Sequence, residues 1–391
     1  MVTLLALLFA AQETVDIPGT KLKFQMVSVP GGKAKVGDET LREVDLRPFQ
    51  MGVKEVTWAE YNAFRNSKDL DAVTRPTKAD SYFGDAGIPS EWLAAPMPHT
   101  NARWHGAMMY CEWLSRRTGR YFRLPTETEW EVAARAGSEA ASPDAINDVA
   151  WHAGNSQKST HESGGKKANA LGLFDMSGNV WEYALEPFSG FDYGPVIRGG
   201  CWSSPIRELK YAARLPIAYK WFEEDANDPR SVWWLTTPKV SIGLRVVCVA
   251  DASDLKDREA YASKLEIKVA GHKSKDIKTG GSTSFYREVK GAIKNTGDRT
   301  LDEVELKVYY LEADGKPRVV DMINAKPGRA TFSKCWPVLV NSANEALAGK
   351  TLAPGATRAF QVDVPLSCDI ENKDNPVFSF EGKVTSVKFS K

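Results

Sequence analysis

Residues 169–182 read Asn-Ala-Leu-Gly-Leu-Phe-Asp-Met-Ser-Gly-Asn-Val-Trp-Glu, and this stretch decides the fold of the first half of the chain. Residues 196–202 follow closely and read Val-Ile-Arg-Gly-Gly-Cys-Trp. The surrounding sequence is rich in glycine, asparagine, serine and aromatic residues and shows little sustained periodicity. Such segments build a core from loops pinned by large rings and bound ions. We therefore expect residues 140–249 to contain little regular secondary structure.

Upstream of this stretch, apolar spacing predicts three helices, over residues 58–66, 102–118 and 127–136. The second ends at Gly119, a residue type that favours helix termini. The third begins after Thr126 and has Glu129 three residues later, which is the arrangement of a capping box. Local signals therefore define these helices before any tertiary contact is considered.

The composition excludes several classes of partner. The chain has 391 residues, with 51 Lys and Arg against 50 Asp and Glu, so its formal net charge is +1. This balance gives no electrostatic reason to expect nucleic acid or an anionic membrane surface as a partner. No stretch approaches the roughly 20 apolar residues that a membrane-spanning helix needs. We expect no nucleic-acid partner and no membrane span.

The length of the chain and a change in its composition predict two domains. Eleven of the twelve tryptophans precede residue 250, and only Trp336 follows it. Residues 251–264 are charged, lack proline and glycine, and read as a linker or short helix. The predicted domains are therefore residues 20–250 and residues 265–391.

Residues 1–14 are interpreted as a signal-peptide region. A short apolar run ends in two alanines at residues 10–11 and is followed by polar residues. This pattern is typical of the hydrophobic part and cleavage region of a secretory signal, although it has no Lys or Arg. The hypothesis is a secreted or periplasmic protein. The alternatives are a wrongly chosen start or a buried apolar strand.

The second domain shows the pattern of an all-β structure. Residues 285–294 and 304–310 alternate in polarity and are separated by turn residues, and residues 359–364 and 377–389 repeat the pattern. Short alternating strands joined by turns are typical of an antiparallel β-sandwich of the immunoglobulin-like type. Because no chemistry-bearing cluster occurs in it, we interpret it as an adhesion or spacer module.

The first domain resembles the formylglycine-generating enzyme family, also called the sulfatase-modifying factor family. Four stretches carry the resemblance, namely residues 123–131, 169–182, 196–202 and 243–246. It covers roughly residues 23–249. The resemblance implies a variant of the C-type-lectin fold with bound calcium, which together with the sandwich gives an α+β chain.

The resemblance also implies a calcium-binding loop formed by Asn179, the backbone carbonyl of Val180, and Glu182. These groups are hard oxygen ligands of the kind that Ca²⁺ takes. The alternative is a hydrogen-bonded turn in which Glu182 pairs with an arginine. For a second calcium site of the family, the oxygen-bearing candidates are Asn155 and Asp175.

The copper oxidases of the family bind Cu(I) through two cysteines that follow the Arg-Gly-Gly segment, because Cu(I) selects soft thiolates. Here Ser204 takes the first position, the segment is shorter, and no second thiol follows in it. A serine hydroxyl is neutral at pH 7 and does not replace a thiolate. We therefore expect no copper site. Cys201 stays a candidate for single-thiol catalysis, against the alternative of a small buried side chain.

The five cysteines fit two disulfide bonds and one odd thiol. Cys111 and Cys248 correspond closely to a pair that is disulfide-linked in some members of the family. Cys335 and Cys368 are the candidate pair within the second domain. This arrangement leaves Cys201 unpaired and fits an exported protein.

These features lead to the hypothesis of an exported binding protein that is related to formylglycine-generating enzymes but lacks their copper site. The ligand groove is predicted beside Cys201, with walls from Trp202, Ser203, Ser204 and Arg214. Aromatic rings and a guanidinium at a cleft suit a peptide, protein or carbohydrate ligand. The alternative is an active oxidoreductase that modifies a protein, as in sulfatase maturation, or a small molecule, with another metal or the thiol of Cys201.

Overall fold

The computed structural model of the chain describes residues 12–68, 90–100, 104–140, 142–187, 195–215, 241–249, 255–279, 282–311, 335–340, 351–365 and 379–389. Five predicted features fall wholly or partly outside these ranges: Cys368, most of the signal-peptide region (residues 1–11), the start of the linker (residues 251–254), and the first two residues of the predicted helix 102–118 and of the predicted strand 377–389.

The strands before residue 250 are β1 (Gln12–Asp16), β2 (Lys23–Val29), β3 (Gly32–Val36), β4 (Arg42–Leu46), β5 (Phe49–Gly52), β6 (Phe122–Arg123), β7 (Trp181–Pro187), β8 (Pro195–Arg198), β9 (Ile242–Gly243) and β10 (Val247–Val249). The helices of this part are α1 (Trp58–Arg65), α2 (Ser90–Ala94), α3 (Trp104–Thr118), α4 (Glu127–Arg135) and α5 (Ile146–Val149). After residue 250 come α6 (Leu255–Ala262), β11 (Leu265–Thr279), β12 (Ser282–Asn295), β13 (Leu301–Leu311), β14 (Cys335–Val340), β15 (Thr357–Pro365) and β16 (Ser379–Phe389).

The first part of the chain is organised around an antiparallel sheet in the order β1-β2-β5-β10-β6. Val27 and Val247 both lie opposite Met51 on neighbouring strands. Residues that face each other across antiparallel strands share one face of the sheet, and these three are fully buried. They pack in one hydrophobic cluster with Trp130 of α4. The sheet therefore forms one wall of the core, and α4 covers it.

The three predicted helices are confirmed to within two residues at each end. Thr57 caps α1 with Glu60, and Thr126 caps α4 with Glu129, in two complete capping boxes. Helix α4 ends at Ala136, which adopts the left-handed conformation with φ of +47°. None of the described helices is long and apolar enough to cross a bilayer.

Between α4 and β10 the residues that the structure describes are mostly in loops, as the sequence predicts. The described regular elements are α5, a 3-10 helix at Ile206–Glu208, and a small mixed sheet in the order β8-β7-β9. In that sheet Glu182 of β7 lies opposite Arg198 of β8 and Gly243 of β9. This sheet therefore brings three of the four family-like stretches side by side.

The second part of the chain contains two antiparallel sheets, β11-β12-β15 and β14-β13-β16. The strands predicted at residues 285–294, 304–310 and 359–364 lie within β12, β13 and β15, and residues 379–389 of the strand predicted at 377–389 form β16. Ile293 and Phe360 of the first sheet and Val304 and Val387 of the second are buried and belong to one hydrophobic cluster. The chain as a whole is thus a mixed helix and sheet structure.

Two predicted boundaries cut through folded elements. Residues 12–14 of the predicted signal region form the start of β1, where Glu13 pairs with Arg120 at 2.8 Å. In the predicted linker, α6 holds the buried Tyr261, whose hydroxyl contacts Asn295 and the carbonyl of Arg299 at 3.2 and 3.0 Å. These residues contribute to the packed structure, and α6 agrees with the short helix that the sequence offered for residues 251–264 as the alternative to a linker.

We predict that the capping box of α4 stabilises the first part of the chain by about 1 kcal/mol. The Oγ1 of Thr126 accepts the N–H of Glu129 at 3.1 Å, and the Glu129 carboxylate accepts the N–H of Thr126 at 2.9 Å. Thr126→Ala removes the acceptor, whereas Thr126→Ser keeps it and loses the same methyl group. Urea denaturation should therefore show Thr126→Ala to be less stable than Thr126→Ser by about that amount. Equal midpoints for the two variants would contradict the cap.

Candidate functional site

The predicted groove begins at the turn that follows β8. Gly199 and Gly200 have φ of +97° and +79°, a region that favours glycine, and a Cβ on Gly200 would lie 2.4 Å from a leucine side chain. The turn folds the next residues back onto the upstream loops. The N–H of Trp202 donates to the Asn179 carbonyl at 2.9 Å, and the backbone carbonyl of Ser204 accepts the N–H of Ala153 at 3.0 Å. The two glycines therefore place residues 201–204 against the family-like loop.

Cys201, Ser203 and Ser204 lie close together at this turn. The Sγ of Cys201 lies 3.2 Å from the Oγ of Ser203 and 3.8 Å from the Oγ of Ser204. Cys201 is 1% exposed and Ser204 is buried, while Ser203 is exposed. Among the described residues, no group of three His, Cys, Asp or Glu side chains is placed to hold a metal. What the turn forms is a hydrogen-bonded cluster of one thiol and two hydroxyls.

Trp202 and Arg214 are both anchored by other side chains. The Nε1 of Trp202 donates to the Oγ of Ser241 at 2.8 Å, and its ring packs partly against the core. Arg214 pairs through its backbone with Arg198, and its guanidinium contacts the Glu127 carboxylate. Trp202 is partly buried, and about half of the Arg214 side chain is exposed (47%). Both side chains are therefore held in place before any ligand binds.

A row of ion pairs runs along one face of α4 and includes Arg214 at one end. Glu127, Glu131 and Arg135 follow each other at four-residue spacing, so they share a face of the helix. The fully buried Arg198 donates to Glu127 at 2.9 Å and to Glu131 at 2.6 Å, and Arg135 donates to Glu131 at 2.8 Å. Burial lowers the pKa of Arg198, and the two glutamates oppose this shift. We call these residues, with Arg214, the α4 charge row.

Glu182, a predicted calcium ligand, is paired with arginine instead. Arg245 donates through Nη2 at 2.7 Å and through Nε at 3.1 Å to each carboxylate oxygen, and the Nε1 of Trp130 donates at 2.8 Å. Glu182 is 1% exposed and Arg245 is fully buried. A carboxylate offers about four acceptor positions. Three N–H groups, one of them shared between both oxygens, therefore already hold this carboxylate.

The side chain of Asn179, the other predicted side-chain ligand, is also engaged. Its Oδ1 accepts the N–H of His161 at 3.0 Å, and its Nδ2 donates to Glu55 at 3.2 Å. In this arrangement the Glu182 carboxylate and the Asn179 Oδ1 both already accept N–H groups, so a calcium ion would have to displace contacts that the fold makes. Calcium at Asn179, Val180 and Glu182 stays a prediction that requires these contacts to loosen.

Two buried carboxyl groups lie close to this loop. Glu55 contacts Ser163 and Asn179, and burial and the nearby Asp175 raise the pKa of Glu55 well above its ordinary value. Asp175 accepts the N–H of Gly164 at 2.6 Å through Oδ2, whereas its Oδ1 is buried without a hydrogen-bond partner among the described residues. Burial raises the pKa of Asp175 to about 6.

Asp175 was predictable from sequence as an oxygen donor, but Glu55 was not. The available signal was a single acid next to Lys54 and between two valines in residues 52–56. An exposed acidic residue on a surface strand gives the same sequence pattern as the buried Glu55. Its contacts with Ser163 and Asn179 span more than 100 residues of chain, so local patterns do not reveal them.

The structure describes both cysteines of one candidate disulfide pair and only one cysteine of the other. Cys111 in α3 and Cys248 in β10 are buried thiols that are not joined by a disulfide bond. The side chain of Cys248 also contacts the guanidinium of Arg120. Cys335 begins β14, and its predicted partner Cys368 lies outside the described residues, so that pairing stays a prediction.

We predict that Asp175 makes the fold less stable as the pH rises. Burial raises its pKa from 3.8 to about 6, so its contribution is fully favourable below about pH 4 and is lost as the pH rises through about 6. This rise in pKa corresponds to a loss on the order of 3 kcal/mol in the free energy of unfolding at high pH. Asp175→Asn tolerates the native φ of +55°. It should raise the urea midpoint at about pH 8 and leave it nearly unchanged at about pH 4.

Asp148→Asn is the matched control, because Asp148 is exposed and pairs with Lys167 at 2.7 Å. It should give no gain at high pH. If Asp175→Asn instead lost stability at high pH, Asp175 would be ionised in the fold and paired with a cation, and the prediction would fail.

Comparison with known proteins places these residues in a family. The sulfatase-modifying factor enzyme 1-like domain matches residues 14–226, more than half of the chain. A chain called serine/threonine-protein kinase pkn1 from Chlamydia caviae is 26% identical, covering 53% of this chain and 37% of the kinase. The inactive C-alpha-formylglycine-generating enzyme 2 of Bos taurus is also 26% identical, covering 45% of this chain and 76% of that protein.

A solved structure, Treponema denticola variable protein 1, shares 21% identity and a TM-score of 0.47, covering 61% of this chain and 99% of that one. This chain covers little more than a third of the length of the kinase relative, and that match says nothing of a kinase activity here. Three of the four resembling stretches, residues 123–131, 169–182 and 196–202, lie within the family match, and the fourth, residues 243–246, follows it. The chain belongs to the sulfatase-modifying factor enzyme 1-like, or formylglycine-generating enzyme, family.

Proposed function

We propose that this chain is an exported binding protein of the family that has no copper oxidase activity. One observation carries the proposal: the Oγ of Ser204 stands 3.8 Å from the Sγ of Cys201, where the resemblance puts the first copper-binding cysteine at Ser204. A thiol and a hydroxyl do not form the soft ligand pair that Cu(I) selects. The other cysteines with described side chains, Cys111 and Cys248, lie in other elements.

The groove beside Cys201 is the proposed ligand site. Ser203 is exposed, Trp202 is partly buried, and Ile206, half exposed, lies on the 3-10 helix that follows. Apolar surface next to hydroxyl groups and the held guanidinium of Arg214 suits a peptide or carbohydrate, which combine both kinds of contact. The ligand is proposed to bind across residues 202–206.

The finer features of the fold belong to the same proposal. A C-type-lectin variant is supported by the loop-rich segment between α4 and β10. An immunoglobulin-like sandwich is supported by the two three-stranded sheets and their common hydrophobic cluster. Export is supported by the apolar run at residues 1–11 alone. The sandwich would then be a spacer beside the binding domain.

The second candidate function is an oxidoreductase that uses the thiol of Cys201. The contact of its Sγ with the exposed Ser203 at 3.2 Å favours it, because a hydroxyl there can hydrogen-bond a thiolate. Against it stands the 1% exposure of Cys201. A substrate would reach the sulfur only after Ser203 and Ser204 moved aside. The binding function is therefore the better supported of the two.

Calcium binding by Asn179, Val180 and Glu182 gives a direct test. An ion that binds only the native state stabilises it by about 2.7 kcal/mol at a hundredfold excess over its dissociation constant. If the site forms, chelation should lower the melting temperature, and Glu182→Gln should remove the response. Because Glu182 also holds Arg245, the informative quantity is the difference between calcium and chelator in each variant. Identical melting curves with calcium and chelator would contradict a calcium site.

The copper prediction tests the main proposal. We expect no formylglycine from a Cys-x-Pro-x-Arg peptide with Cu(I) and oxygen, because one thiolate leaves the metal under-coordinated. Ser204→Cys would place a second sulfur beside Cys201, given the 3.8 Å spacing. This variant should bind Cu(I) in a chelator competition assay, and the combined Ser204→Cys, Cys201→Ser variant should not. Detection of the aldehyde with the unaltered protein by mass spectrometry would favour the oxidoreductase.

A further inference from the structure

His99 is a buried histidine that takes no part in the groove or in the predicted calcium loop. The residue is 0% exposed, and neither of its ring nitrogens has a hydrogen-bond partner among the described residues. A neutral imidazole carries one N–H donor and one acceptor. Burying such groups without a partner costs free energy, so this histidine calls for a physical explanation.

Aromatic rings of α1 enclose the His99 ring. It stacks on Tyr61 with 3.8 Å between ring centroids, and it lies 4.3 Å from the ring of Trp58. Protonation would add a second N–H donor and a full charge where neither nitrogen has a described acceptor. An aromatic face attracts a cation, but that attraction is weaker than the cost of removing the charge from water. The closed packing therefore favours the neutral ring.

The charges around His99 do not compensate for a proton on its ring. Burial lowers the pKa of His99 well below its ordinary value of 6.5, and the positive charge of Arg65 on α1 lowers it further. The other titratable side chains on the neighbouring elements have other contacts or are exposed, namely Glu60 in the capping box of α1, Glu55 against Ser163, Tyr110 of α3 stacked on Tyr61, and Glu91 of α2.

The segment that carries His99, residues 96–99, joins two parts of the fold through its backbone. The N–H of His99 donates to the Val56 carbonyl at 2.8 Å. The carbonyls of residues 96 and 97 accept the N–H groups of Ser163 and Trp58 at 2.9 Å each. Because the ring is fully buried, it reaches water only when this segment separates from α1. Solvation of the ring is therefore coupled to these backbone hydrogen bonds.

We propose that His99 is an acid-sensitive switch whose protonation opens residues 96–99 away from α1. The neutral ring closes the segment, and the imidazolium is solvated only in the open form. Because the pKa of His99 is lowered in the fold, its contribution to stability is fully present above about pH 6.5 and is lost as the pH falls below that value. This dependence on pH is opposite to that of Asp175.

Urea denaturation and amide hydrogen exchange of the full chain at about pH 7.5 and about pH 5 test the switch. On acidification, the unfolding constant of the unaltered chain should rise about 30-fold more than that of His99→Phe, because an unfolded histidine with a pKa of 6.5 is protonated about 30 to 1 at pH 5. After correction for intrinsic exchange, the amides of Trp58 and Ser163 should lose protection at about pH 5. The amide of Asn295, which donates to the Ala356 carbonyl at 3.0 Å, should keep its protection.

His161→Phe is the matched control. This partly buried histidine also stacks on an aromatic ring, that of Trp151 at 3.7 Å, but its Nε2 lies 2.7 Å from the Ser156 carbonyl. A proton on this ring keeps that hydrogen bond. The control variant should therefore lose protection at the amides of Trp58 and Ser163 on acidification as the unaltered chain does.

His99→Leu is a second variant without a titratable ring, and it separates the effect of the lost proton from that of the added size of phenylalanine. The proposal is overturned if both His99 variants keep the acid dependence of the unaltered chain. It is also overturned if the amides of Trp58 and Ser163 in the unaltered chain keep their protection at about pH 5.

Discussion

The buried pair of Glu182 and Arg245 holds together a part of the fold that has little regular structure. The two residues lie 63 positions apart, and Arg245 also donates to the carbonyls of Gly52 and Phe174 at 2.8 Å each. One guanidinium therefore ties β7, the end of β5 and a loop to the segment before β10. Removing one partner of such a pair leaves an uncompensated buried charge, which typically costs about 3–5 kcal/mol. A loop-rich core depends on contacts of this kind because it has few ladder hydrogen bonds.

The α4 charge row is a second set of buried ion pairs, and its Arg198 lies over the ring of Trp130. Arg198 is fully buried and has two carboxylate partners, and it also donates to the carbonyls of Tyr211 and Ala212 at 2.7 and 2.9 Å. A short helix with a complete capping box thus supplies a rigid row of acceptors, and the irregular chain after β8 is fastened to it. The same row holds Arg214 through Glu127 and contains Arg135 as its last member. One short helix therefore fixes cations that come from different segments of the chain.

Local signals in the sequence identified some of these features and missed others for a physical reason. The helices were predictable because capping boxes such as Thr126 with Glu129 act within one turn. The cluster of Cys201, Ser203 and Ser204 was also predictable, since its members are nearly consecutive. The partners of Glu55 and Arg198 were not, because each lies more than ten residues away and is selected by the tertiary fold. The arginine-paired alternative for Glu182 could be stated from sequence, but its arginine could not be identified.

The chemistry of the groove differs from a soft metal site in ways that the surrounding fold does not require. The two glycines after β8, the hydrogen bond from Trp202 to Asn179, and the charge row behind them all constrain the backbone and leave the groove side chains free to vary. A change from cysteine to serine at Ser204 keeps a small side chain, and its hydroxyl accepts the N–H of Cys201 at 3.2 Å. The turn is thus stabilised by the serine itself. The backbone of the turn therefore does not depend on a cysteine at this position, and the fold alone does not define the activity.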